Sequence, residues 1–119
     1  MLFEIGEIFW LEVSYEDIPN ESKVRPAIII GKSKDNSFIL VSTTSQAPSK
    51  PPSHFDQYKI PIYNWRRLGF PKSSWALGYR LIELDEKKLK SIIKKDDYIG
   101  YMDEIDLQCL NEGIERIHN

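Results

Sequence analysis

A guanidinium and a small cluster of side-chain alcohols are the groups in this chain with the clearest chemical use: Arg25, with Lys23 two residues before it, and the run Thr43-Thr44-Ser45-Gln46. Arginine offers a planar, permanently charged fork matched to phosphate oxygens, and a neighbouring hydroxyl donates or accepts one further hydrogen bond. The chemistry depends on folding bringing the two together. If the strands that carry them form an antiparallel hairpin, the start of one lies beside the end of the other, and Arg25 meets the hydroxyls at one end of a sheet. The plain alternatives are that Arg25 is a strand-end charge paired with a loop acid such as Glu21, and that Thr44 is present because threonine suits strands. His54 is a candidate for proton transfer, since an unperturbed imidazole titrates near neutrality. A lone histidine in a loop is more often a solvated surface residue.

The surrounding pattern supplies such strands. Gly6 to Val13 places apolar residues on both sides of the alternation, as a strand covered on much of both faces does. Residues 14–22, SYEDIPNES, predict a mobile loop. Arg25-Pro26 opens a β-branched run, Ala27 to Ile30, with Pro26 expected at the first strand position, where it costs no ladder bond. GKSKDN at 31–36 predicts a turn, and Ser37 to Thr44 the next strand, completing the hairpin. SQAPSKPPSHF at 45–55 is too rich in proline for regular structure. Tyr58 to Tyr63 predicts an edge strand around Pro61, and Ser74 to Leu84 the last strand.

The character then changes. Asp85 can cap a helix over Glu86 to Lys94, with Leu84 and Leu89 as a hydrophobic staple. Asp103 can cap a longer helix whose Leu107, Leu110, Ile114 and Ile117 form an apolar stripe. Strands followed by late helices predict one α+β domain over residues 1–119, a curled antiparallel sheet or small barrel closed by helices. Trp10 and Trp75 are expected in its core, and Trp65, between Asn64 and Arg66, on its surface.

Charge is distributed unevenly: residues 1–22 carry −6, residues 23–80 carry +8, and residues 81–119 carry −4, for a net −2. A basic segment inside an acidic chain is the footprint of an anion-binding surface, or else a set of scattered, solvated lysines. One Cys and two His make no recognisable ligand cluster, so no metal or other cofactor is expected. No glycine-rich nucleotide loop and no GxSxG elbow occurs. The lone Cys109 cannot form an internal disulfide. Apolar runs fall far short of the ~20 residues that span a bilayer. The acidic start MLFEIGE lacks a basic signal region, so a cytoplasmic protein with no membrane partner is expected.

GEIFWLEV, KVRPAIIIGKS, FILVSTTSQ and LGFPKSSWALGYRLIELD, in this order, resemble the PemK/MazF family of toxin endoribonucleases from type II toxin–antitoxin modules over most of the chain. The RP and TSQ elements are each short; their order around matched strands carries the specificity. The resemblance implies a PemK/CcdB-like, SH3-like antiparallel barrel of about five to seven strands with C-terminal helices. It implies Arg25 and Thr44 as the catalytic pair and Ser74 in the substrate surface. It further implies a homodimer, a cognate antitoxin whose tail covers the RNA groove, and DNA contact only through that antitoxin. After Ser74 the family often has an acidic residue and Gln, whereas this chain has Gly78-Tyr79-Arg80, so a substrate or antitoxin contact there would differ.

The fitting reaction is metal-free RNA cleavage, in which the ribose 2′-OH attacks its own phosphorus and the 5′ oxygen leaves. Arg25 would stabilise phosphoryl charge, although arginine is a poor acid, and Thr44 would orient the phosphate. The general base stays open. Single-stranded RNA would be read through splayed bases stacked on Tyr63, Trp65 and Phe70 beside Arg66 and Arg67, with Lys23, Ser45, Gln46 and His54 as further contacts. The competing reading is a non-catalytic module of the same fold that holds a protein or nucleic acid, as the gyrase poison CcdB does with a protein target.

Overall fold

The computed structural model describes residues 3–14, 22–33, 35–54 and 56–119. Six strands, β1 Glu7–Ser14, β2 Ser22–Lys32, β3 Ser37–Thr44, β4 Lys59–Ile62, β5 Ser74–Asp85 and β6 Tyr98–Tyr101, are joined by two helices, α1 Glu86–Ile92 and α2 Glu104–His118. All strand pairings are antiparallel, in the order β4-β5-β3-β2-β1-β6, and the sheet curls into a half-barrel.

The central strands bury both faces because apolar residues occupy successive positions. On one face Ile8, Ile28, Val41 and Ala76 pack with Leu68, Phe70, Met102 and the α2 residues Leu110 and Ile114. On the other, Phe9, Leu11, Ala27, Ile29 and Leu40 pack with Phe3 and with Leu89 and Ile93 at α1. Both helix caps form as expected: Asp85 accepts from the Lys88 N–H and Asp103 from the Asp106 N–H. Leu84 and Leu89 share one cluster, consistent with the staple. α1 ends at Ile92, two residues before the expected Lys94.

Three expectations need correction. β2 begins at Ser22, so Pro26 sits inside the strand, opposite Trp10 of β1. The ladder to β3 begins only at Ala27↔Ser42, and the Pro26 carbonyl accepts a bond from the Thr43 hydroxyl, so the missing N–H faces a stretch with no ladder bond to lose. β6 was not expected; four residues, YIGY, carry too little pattern to announce a strand. Its Gly100 is required by close approach, since a Cβ there would lie 2.2 Å from the Leu68 carbonyl oxygen. Trp10 and Trp75 are half-buried rather than core residues. The expected loop at 14–22, with Glu21 as a partner for Arg25, falls largely outside the described residues, as do Lys34 of the 31–36 turn and Phe55 of the proline-rich segment.

β5 is the strand that shapes the site. Between the pairs Val41↔Leu81 and Thr43↔Ala76, the single β3 residue Ser42 faces four residues of β5, Leu77 to Arg80, so the strand bulges across Gly78-Tyr79-Arg80. A bulge bends its strand and re-aims side chains.

Candidate functional site

Continuing the Ala27↔Ser42 register by two residues puts Arg25 opposite Thr44 on one face of the hairpin. The regular ladder ends there, and side chains replace it. Arg25 Nη1 donates to the Thr43 carbonyl oxygen at 3.2 Å, and Thr43 Oγ1 donates to the Pro26 carbonyl oxygen at 2.9 Å. Thr43 itself is fully buried, whereas Arg25 and Pro26 are half-buried, so both bonds are anchored from the inner side of the sheet. The Thr44 hydroxyl accepts from the Gln46 N–H at 3.1 Å, the local side-chain-to-backbone turn that threonine favours.

Arg25, Thr44 and Gln46 line two adjoining cavities. The larger, about 540 Å³, is bounded by Ser49, Ser53, Asp56 and Lys59 from the proline-rich side and by Tyr79 and Arg80 from the β5 bulge. The smaller, about 330 Å³, holds Trp10, Lys23, Ser45, Lys72 and Ser74. Among the described residues, Lys23, Arg25 and Lys72 supply three cations to the smaller cavity and no acid lines it. Among the described residues, the larger has Arg25, Lys59 and Arg80 against a single carboxylate, Asp56. Part of the basic 23–80 segment is therefore concentrated here, where an anion would meet it.

Asp56 is already committed. Its carboxylate pairs with Lys59 at 2.8 Å and accepts from the Ser49 N–H, Ser49 Oγ and the Ser53 N–H. Lys59, then these serine and amide donors, hold the Asp56 carboxyl far below the usual carboxylate range. That carboxylate is what orders a proline-rich segment with no regular structure of its own.

A family model described as PemK-like, MazF-like toxin of type II toxin-antitoxin system matches residues 4–118. The chain belongs to that family. No curated protein matches it. A type II toxin has an antitoxin partner, so this toxin is one half of such a pair. Among the described residues no helix is long and apolar enough to cross a membrane, and no three His, Cys, Asp or Glu side chains gather as a metal-binding group.

The remaining residues singled out in the sequence of this toxin divide. Lys23, Ser45, Gln46 and Ser74 line the cavities with Arg25 and Thr44, Ser74 being buried and donating to the Lys72 carbonyl at 2.8 Å. His54 is exposed, its ring 5.9 Å edge-on from Tyr58, and it lines neither cavity. The 63–70 segment lies elsewhere. Trp65 is half-buried against the core, with the Arg66 guanidinium 5.0 Å from its ring centre. Phe70 is 4% exposed and belongs to the core, whereas Tyr63, at 84%, is the exposed aromatic there. Arg67 is taken up by Asp103 and Asp106 at the start of α2. The Asp103 hydrogen bond raises the Arg67 guanidinium, and the Asp106 N–H together with Arg67 lowers the Asp103 carboxyl.

Sequence reasoning missed Asp56 and Lys59 and gave Tyr79 and Arg80 no site role beyond a departure from the family pattern. An acid and a lysine three residues apart beside the proline-rich segment were the available signal for the first pair. The bulge that turns Tyr79 and Arg80 into the cavity has no local signature except Gly78.

Proposed function

We propose that this toxin, as a single domain over residues 1–119, is a metal-independent endoribonuclease that cleaves single-stranded RNA at a centre formed by Arg25 and Thr44. The observation that carries this reading is the meeting of a guanidinium and an alcohol on one hairpin face, both lining the same two cationic cavities. A scissile phosphate seated between them would receive charge stabilisation from the Arg25 fork and a hydrogen bond from Thr44. The ribose 2′-oxygen attacks the adjacent phosphorus, the bond to the 5′-oxygen breaks, and the strand separates into a 2′,3′-cyclic phosphate and a 5′-hydroxyl end. The 2′-OH proton goes to a base, and a proton returns to the leaving oxygen. His54, outside both cavities, has no geometric support as that base.

The two cavities on either side of Arg25 and Thr44 suit the nucleotides flanking the scissile bond, with Lys23, Ser45 and Ser74 on one side and Gln46 bordering both. The protein acts as a homodimer in the cytoplasm, its cognate antitoxin blocks the RNA surface, and DNA is reached only through the antitoxin. Purified protein incubated with varied single-stranded RNAs in EDTA should cut them and leave 5′-hydroxyl ends. Intact RNA throughout would transfer the cationic surface to the competing reading, a non-catalytic binding module.

A further inference from the structure

A relay of hydrogen bonds, joined through the backbone of Gln46, runs from the buried carboxylate to the Thr44 hydroxyl. Asp56 pairs with Lys59 at 2.8 Å, Lys59 Nζ also donates to the Gln46 carbonyl oxygen at 3.1 Å, and the Gln46 N–H donates to Thr44 Oγ1 at 3.1 Å. The side chains of Lys59 and Asp56 are 11% and 7% exposed, so the pair is largely removed from solvent. The same carboxylate ties down Ser49 and Ser53, so the whole 46–53 stretch is referred to one anchored point. A hydroxyl has one proton and two lone pairs. With one lone pair of Thr44 Oγ1 taken by the Gln46 N–H, its proton is turned to a different acceptor, and the cavity is where Thr44 is open to one.

Resting on the reading of Arg25 and Thr44 as the phosphate centre, we infer that Asp56 and Lys59 are its positioning residues: they fix the Gln46 amide behind Thr44 and present the Thr44 hydroxyl as a donor to a phosphoryl oxygen of RNA. Neither touches the reacting atoms. The energetic effect appears in the transition state, where phosphoryl charge grows, and hardly in ground-state binding.

The test uses the full chain and a single-stranded RNA that the wild type cuts, with kcat, KM, melting temperature and amide exchange at Gln46 measured for each variant. Lys59→Met removes the charge and keeps a long stem; Asp56→Asn/Lys59→Met removes both charges, and carries the same test if the single variant melts below the assay temperature. Both should lose about ten- to a hundredfold in kcat with KM little changed, as misplacement of a reacting group does. Lys59→Arg should recover most of that loss, and the Gln46 amide should exchange faster in the uncharged variants only. In a Thr44→Ala background, adding Lys59→Met should cost nothing more, because the relay acts through Thr44 alone. Wild-type kcat in Lys59→Met, or an equal loss with and without the Thr44 hydroxyl, overturns the positioning role while leaving the phosphate centre intact. A wild type that leaves every RNA whole overturns the phosphate centre and the positioning role together.

Discussion

Replacing Thr43 by valine tests whether side chains do hold the hairpin together where its ladder stops. Valine keeps the shape of threonine and suits a strand, so neither a cavity nor a propensity loss accompanies the change. What disappears is the donor to the Pro26 carbonyl, a 2.9 Å bond from a side chain with no exposure to solvent. A buried acceptor left without its partner costs about 1–3 kcal/mol. At about 2 cal/mol/K per residue, a domain of 119 residues unfolds with an entropy of about 0.25 kcal/mol/K. The melting temperature should therefore fall by about 4–12 °C. Calorimetry on wild type and Thr43→Val measures this directly. Because the carbonyl of the same residue accepts from Arg25, RNA cutting well below the melt should slow more than the folded fraction explains. An unchanged melting temperature would refute the reasoning, showing that water or a neighbour satisfies the Pro26 carbonyl.

Gly100→Ala drives a methyl to 2.2 Å from the Leu68 carbonyl oxygen, so β6 must move off the 63–70 segment. Denaturant unfolding should show a loss of at least about 1–3 kcal/mol, the range for overpacking. For Asp56, whose carboxyl is lowered in the folded state, the contribution to stability is present above the ordinary value of 3.8 and is lost as pH falls through the lower folded value. Acid titration followed at the Ser49 and Ser53 amides should show their bonds persisting below pH 3.8, and an ordinary carboxylate midpoint there would contradict the ordering role. Arg67→Ala should leave RNA cutting within about twofold of wild type, since this guanidinium pairs across an exposed surface with Asp103 and Asp106. A large loss would place the 63–70 segment in the RNA surface after all.

How much of this was legible in the sequence depended on whether a signal was local. The caps at Asp85 and Asp103 are short-range chemistry and were readable to the residue; the edge strand marked by Pro61 was readable as such, though it is one residue shorter at each end than the expected Tyr58 to Tyr63. The hairpin that joins Arg25 to Thr44 followed from two β-rich runs around one turn. Pro26 misled because its lost N–H matters only where a neighbouring strand would use it, which is a tertiary fact. Composition alone suggested that the YNWRRLGF aromatics and arginines bind bases. In the fold Phe70 fills the core, Trp65 backs onto it, and Arg67 caps the electrostatics of α2. The β5 bulge and the Asp56–Lys59 pair depend on registers and buried contacts that no periodicity encodes.

The central claim is that Arg25 and Thr44 act on one phosphate as a unit. Single-turnover cutting of one RNA in EDTA by Arg25→Ala, Thr44→Ala and the double variant measures it. Each single variant should lose about a hundredfold or more while melting near the wild type, and the double should be little slower than the worse single, as groups acting together are. Cutting at the wild-type rate by either single variant, or losses that simply multiply in the double, would contradict the account.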